Sequence, residues 1–103
     1  MSERPTVSVV VPAYNARETL ERCLEHCLDQ SVAAEEIVLV DDGSTDGAAN
    51  TARRFPVTVL YQPNRGPAAA RNLGARHVRS ELVAFTDADC FPERDWLARL
   101  TEA

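Results

Sequence analysis

Residues 37–46 read Ile-Val-Leu-Val-Asp-Asp-Gly-Ser-Thr-Asp. Four apolar residues run without a polar interruption and then stop on two carboxylates and a glycine. A strand with one face in water alternates apolar and polar residues, whereas an unbroken apolar run fits a strand covered on both faces, as in a parallel sheet. The same pattern recurs on either side. Val7–Val11 (VSVVV) is β-branched and is expected to stop at Pro12, and Leu82–Thr86 (LVAFT) ends on Asp87 and Asp89. Val57–Tyr61 supplies a further strand.

Helical segments fill the intervals. From Arg17 to Leu28 the apolar residues Leu20, Cys23, Leu24, Cys27 and Leu28 fall on one helix face. Asn15, three residues before Glu18, reads as its cap with a reciprocal acid. Asp46–Phe55 forms a second short helix, with Ala48, Ala49, Ala52 and Phe55 on one side. Gly66-Pro67 opens a third, with proline at the first helical position, where its missing N–H costs nothing, and Ala68–Ala70 behind it favour helix. Pro92 to Ala103 starts a fourth, with Trp96, Leu97 and Leu100 as its apolar face. Strands alternating with helices predict an α/β fold, a three-layer αβα arrangement on a mostly parallel sheet of about four strands. There is no repeat or linker, so residues 1–103 form a single domain.

Composition narrows the function. The chain has 103 residues, 45% hydrophobic and 26% charged, with a formal net charge of −5. That balance argues against nucleic acid as a partner, which calls for a basic face. The longest apolar runs fall far short of the roughly 18 residues a membrane span needs, and no apolar segment follows Met-Ser-Glu-Arg-Pro, so a cytoplasmic protein is expected. Three cysteines are an odd number for a disulfide framework. Cys23 and Cys27, with His26 between them, lack zinc-ligand spacing and are expected to be buried as small hydrophobes.

Ligands of parallel sheets bind outside the carboxyl ends of the strands. Three such ends carry polar residues: Pro12-Ala13-Tyr14-Asn15, Asp41-Asp42-Gly43-Ser44 and Asp87-Ala88-Asp89. They bring Tyr14, Asn15, Asp41, Asp42, Asp87 and Asp89 to one edge. Asp87 and Asp89 repel each other, and a divalent cation relieves the repulsion. Few oxygen ligands suit Mg2+ or Mn2+, which leaves room for phosphate oxygens. Small Ala88 between them gives a ligand access to the backbone. Asp41, at the end of its strand, can accept a hydrogen bond from a base N–H. No glycine-rich phosphate loop is present, so a diphosphate has to rely on metal and on arginines, with Arg71 and then Arg65 as candidates.

Four pieces in order, VSVVVPAYNARETLERCLEHCLDQ, EEIVLVDDGSTDGA, NRGPAAARNLGA and LVAFTDADCFPERDWLARL, resemble the N-terminal half of a family-two glycosyltransferase of GT-A fold. The resemblance covers residues 6 to about 100. It implies that Pro12, Ala13, Tyr14 and Asn15 pack around a nucleoside, with Glu18 close by. It also implies that Asp41 reads the base and that Arg71 lies near the base and diphosphate. Asp87 would then sit near the ribose, and Asp89 would hold the metal, Mn2+ or Mg2+. The implied reaction moves a sugar from a nucleotide diphosphate donor, a UDP-sugar first, to the hydroxyl of an unknown acceptor with inversion. The family's general base lies further along the chain than Asp89, and Asp95 does not match it, so that role is unfilled and the chain is expected to be a donor-binding half. The alternative is a module that binds a nucleotide sugar without transferring it. A phosphoacceptor domain built on Asp41, Asp42 and Asp87 requires a lysine, and all 11 basic residues are arginine. A half fold is also expected to leave an exposed sheet edge through which copies associate.

Overall fold

Seven consecutive buried residues, Val7–Ala13, form β1, the strand around which the other elements are arranged. The computed structural model describes residues 4–102. After β1 come α1 (Arg17–Leu28), β2 (Ile37–Asp42), α2 (Ala48–Ala52), β3 (Thr58–Gln62), α3 (Pro67–His77), β4 (Leu82–Phe85) and α4 (Trp96–Leu100). The strands lie in the order β3-β2-β1-β4, and every pairing is parallel. The expected α/β class and four-stranded parallel sheet are therefore observed.

The order grows outward from β1 through β2 to β3 and then returns to place β4 on the other side of β1. The reversal leaves a crevice at the carboxyl ends of β1 and β4, the place where open parallel sheets take ligands.

Alternating side chains feed two cores. Val7, Val9, Val11, Ile37 and Leu39 pack with Leu20, Cys23, Leu24 and Cys27 of α1, with Ala48 and Ala52 of α2 and with Leu97 of α4. Val10, Val38 and Val40 face the other way, onto Ala70 of α3. The α3 backbone lies so close to the sheet that a Cβ on Gly74 would sit 3.1 Å from Val10 Cγ2 and 3.2 Å from Val40 Cγ2. Only glycine lets the helix lie that low.

Several element ends differ from the expectation. β1 continues through Pro12 and Ala13. Proline is tolerated there because successive residues of a parallel strand bond to opposite neighbours, and Pro12 faces the β4 side beyond Thr86, whose N–H to Val10 O is the last bond to that side. β2 runs on through Asp41 and Asp42, which pair with Tyr61 and Gln62 of β3. The second helix shrinks to Ala48–Ala52 because Gly47, at φ 85, breaks the turn before it. Leu28 is 39% exposed and Leu100 49%, so neither belongs to the core. α4 starts at Trp96 rather than Pro92, and Ala103, the expected end of that helix, lies outside the described residues, as do Met1, Ser2 and Glu3. β4 is an edge strand with Leu82 and Phe85 partly exposed.

Candidate functional site

The Asp-Ala-Asp segment follows β4 directly. A turn closes it, with Cys90 N–H donating to Asp87 O at 3.0 Å. Ala88 is 5% exposed and belongs to the core under α1. Burying its methyl turns the flanking carboxylates outward. The side-chain ligand atoms of Asp87, Asp89 and Cys90 are all exposed and lie within 4.8 Å of one another. Two outward carboxylates fit a hard divalent cation that keeps several ligand positions for water or phosphate. The guanidinium of Arg71 on α3 stands 3.8 Å from Asp87 Oδ1, an exposed pair worth little on its own.

The β1–α1 loop is tied to the β2–α2 loop. Asn15, at φ 50, occupies the left-handed region that asparagine tolerates. Its N–H donates to Ser44 Oγ at 2.9 Å, and its Oδ1 accepts from the Thr45 N–H at 2.8 Å. The expected cap of α1 by Asn15 is absent, since the N-cap position is Ala16 with no side-chain bond. The carboxylate of Asp46 takes that place from the neighbouring loop, accepting from Arg17 N–H at 2.9 Å and from Ala48 N–H at 3.0 Å. The segment Ser44-Thr45-Asp46 thus aligns the end of β1 with the start of α1.

The two acids that end β2 face opposite ways. Asp41 lies on the α1 side, buried, with Oδ1 accepting from Ser44 N–H at 3.0 Å. Asp42 lies on the α3 side. Its Oδ1 accepts from Gln62 Nε2 and from Arg65 N–H, each at 2.7 Å, and its Oδ2 from Gly66 N–H at 3.0 Å. Burial pushes the Asp42 carboxyl up, but the three donors of Arg65, Gln62 and Gly66 outweigh it and hold the group below its ordinary value. Gly43, at φ 76, allows the turn that follows, and a Cβ there would meet Asn64 N at 2.8 Å. Cys23, in the α1 core, is raised well above the ordinary thiol range by Cys27 beside it and by burial.

Two recesses flank the acidic turn. A slot of about 170 Å3 is lined by Pro12, Ala13, Tyr14, Asp42, Pro67 and Asp87. A wider cleft of about 680 Å3 is lined among others by Tyr14, Asn15, Arg17, Glu18, Asp46, Ala88 and Asp89. Pro12, Tyr14, Asn15, Glu18, Ala88 and Asp89 therefore meet at one edge with Asp87, Arg71 and Ala13. Asp41 lines neither of these recesses, whereas Asp42 lines the slot. Sequence reasoning missed Asp46 as the cap of α1, and Gln62 and Pro67 as neighbours of the site. The first is capping chemistry carried by a distant loop, and the other two become adjacent to Asp42 only through the β2–β3 register. Among the described residues no helix is long and apolar enough to cross a membrane.

Known proteins share this fold. Glycosyltransferase AglE of Haloferax volcanii is 35% identical over 106 residues, taking in 95% of this chain and 35% of AglE. The mannosyltransferase PcManGT of Pyrobaculum calidifontis, solved in complex with GDP-Man and Mn2+, superposes with a TM-score of 0.86 at 37% identity, covering 94% of this chain and 31% of that one. TarS of S. aureus, solved in complex with UDP-GlcNAc, superposes with a TM-score of 0.81 at 27% identity, over 92% of this chain and 30% of that one. The chain spans about a third of the length of these relatives. Residues 8–103 match the model of glycosyl transferase family 2, and with these GT-A neighbours the chain belongs to that family.

Proposed function

We propose that these residues bind the donor of a glycosyltransferase that moves a sugar from a nucleoside diphosphate sugar, UDP-linked, to an acceptor hydroxyl with inversion. The observation that carries this reading is the slot between Tyr14 and Asp42, which opens beside Asp87 at the reversal of strand order. Pro12, Tyr14 and Pro67 offer flat apolar surface for a base to stack on. Asp42 lines the slot and has lone pairs left on Oδ2 to accept an imide N–H, and its place in that lining favours it over Asp41 as the base-facing carboxylate. Asp87 and Asp89 would hold a divalent cation, Mn2+ or Mg2+, whose charge offsets that of the diphosphate and eases its departure. Arg71 adds a positive charge on the α3 side, and Glu18 and Asp46 are acceptors for sugar hydroxyls in the wider cleft. The complexes of PcManGT with GDP-Man and Mn2+ and of TarS with UDP-GlcNAc support the donor class. A cytoplasmic setting suits the three free thiols, which stay reduced there.

A second reading, binding without transfer by these residues alone, is favoured by Asp95. General-base work needs a free carboxylate at the acceptor hydroxyl, and Asp95 Oδ2 is engaged by Arg99 Nε at 2.8 Å. The edge of β4 is the surface for self-association, read by sedimentation at several concentrations.

The test is a panel of UDP, GDP, dTDP and ADP, with uridine and UMP as controls, followed by protein NMR shifts. Saturable shifts at Tyr14 and Asp42 with UDP, weaker with UMP, support the reading. Equal or absent shifts across the panel overturn it.

A further inference from the structure

Thr19, Cys23, His26 and Gln30 recur at the i, i+4, i+7, i+11 spacing, which is one face of a helix. Each side chain on this stripe of α1 and its exit hydrogen-bonds a backbone carbonyl of the segment that carries the acidic turn. Thr19 Oγ1 donates to Ala88 O at 3.0 Å, and Cys23 Sγ to Asp87 O at 3.5 Å. His26 Nδ1 stands 3.0 Å from Pro92 O, which can only accept, so this nitrogen carries the proton. Gln30 Nε2 donates to Glu93 O at 2.7 Å, while its Oε1 accepts from Leu97 N–H at 3.0 Å. Ser31 N–H adds a backbone bond to Arg94 O at 2.9 Å.

All of these bonds act on the backbone of residues 87–97 and none on the carboxylates. They hold the turn from inside, with the Ala88 methyl buried beside them, while the ligand atoms of Asp87 and Asp89 stay exposed. The spacing between two metal ligands depends on how firmly their backbone is fixed, and outer partners of metal ligands commonly change affinity 10–100-fold when removed.

We propose that this stripe is a positioning rail for the metal-binding turn. Thr19 at its near end and Gln30 at its far end set the cation affinity of Asp87 and Asp89 without touching the cation. The inference rests on the reading of those two aspartates as metal ligands. Thr19 is the sharpest probe, because valine replaces it with nearly the same shape and removes only its hydroxyl, which donates to Ala88 O at 3.0 Å and stands 3.4 Å from Ala16 O. Serine restores the donor without the methyl.

The experiment measures free Mn2+ by electron paramagnetic resonance while the 103-residue chain is titrated in the presence of UDP. Wild type, Thr19→Val, Thr19→Ser and Gln30→Met are compared. UDP affinity in EDTA and the melting temperature are recorded alongside. The rail predicts that Thr19→Val weakens Mn2+ about tenfold, that Thr19→Ser recovers most of it, and that metal-free UDP affinity is unchanged. Gln30→Met should weaken Mn2+ less, since it acts on the far end of the segment. Wild-type Mn2+ affinity retained in Thr19→Val, at any change in melting temperature, overturns the rail alone. A wild-type chain that takes up no Mn2+ with UDP overturns the metal reading and the rail with it.

Discussion

Replacing Asp42 with asparagine tests how the β3–α3 loop is held. Asp42 is 4% exposed and satisfies three N–H donors, from Gln62, Arg65 and Gly66. Asparagine keeps one oxygen, which can serve Gln62 and Arg65. Its amide NH2 then faces the Gly66 N–H, setting donor against donor. Losing one bond to a charged acceptor and stranding a donor costs roughly 2–4 kcal/mol. Unfolding entropy near 2.1 cal/mol/K per residue makes that a fall of about 9–19 °C in melting temperature for a domain of this size. The pH dependence gives the argument a second handle. The folded-state pKa of Asp42 lies below the ordinary value, so its stabilisation is fully present above the unfolded-chain pKa near 3.9 and is lost as pH falls through the folded value. The difference between wild type and Asp42→Asn should therefore be widest at neutral pH and shrink progressively below about pH 4. Thermal unfolding followed by circular dichroism from pH 7 downward measures it. A difference under about 2 °C at pH 7, where one stranded donor alone should exceed it, would refute the reasoning. So would a difference that stays constant into acid.

Gly74→Ala gains about 1 kcal/mol of helix propensity but forces a methyl between Val10 and Val40, where overpacking costs about 1–3 kcal/mol. Net destabilisation near 1 kcal/mol is expected in urea unfolding, and Val10→Ala should relieve the added cost when the two are combined. Asp46→Ala removes the cap of α1 supplied by the neighbouring loop and should cost about 1 kcal/mol. Asn15→Asp should cost less, because an oxygen still accepts from Thr45 N–H. Melts of both variants check the ranking, and an Asp46→Ala melt equal to wild type would contradict the capping geometry.

The sheet was legible because its two central strands, β1 and β2, are buried on both faces. VSVVV and IVLV need no partner residue to identify them, and carboxylates marked where two strands stop. The errors sit where a distant element supplies what local pattern appeared to require. Asn15 and Glu18 fit a local capping box, yet the N–H of Arg17 is capped by Asp46 across the β1–β2 pairing. Asp41 and Asp42 are indistinguishable as neighbours in sequence. Which of them faces the slot follows from strand alternation and from Gln62, Arg65 and Gly66, placed by the β2–β3 register. Thr19 and Gln30 were invisible for a related reason. The apolar periodicity of α1 identifies its buried face but not the carbonyls that a parallel stripe of polar side chains will meet.

The central claim is that Asp89 and Asp87 bind a cation that in turn holds a diphosphate. The most direct measurement is the melting temperature with UDP, with and without Mn2+, for wild type and Asp89→Ala. Ligand at about 100 times its dissociation constant adds about 2.7 kcal/mol, which raises the melt of a domain this size by about 10 °C. The account predicts a rise of that order for wild type that requires Mn2+ and disappears in Asp89→Ala. A rise of equal size in EDTA, or one retained in Asp89→Ala, would contradict it.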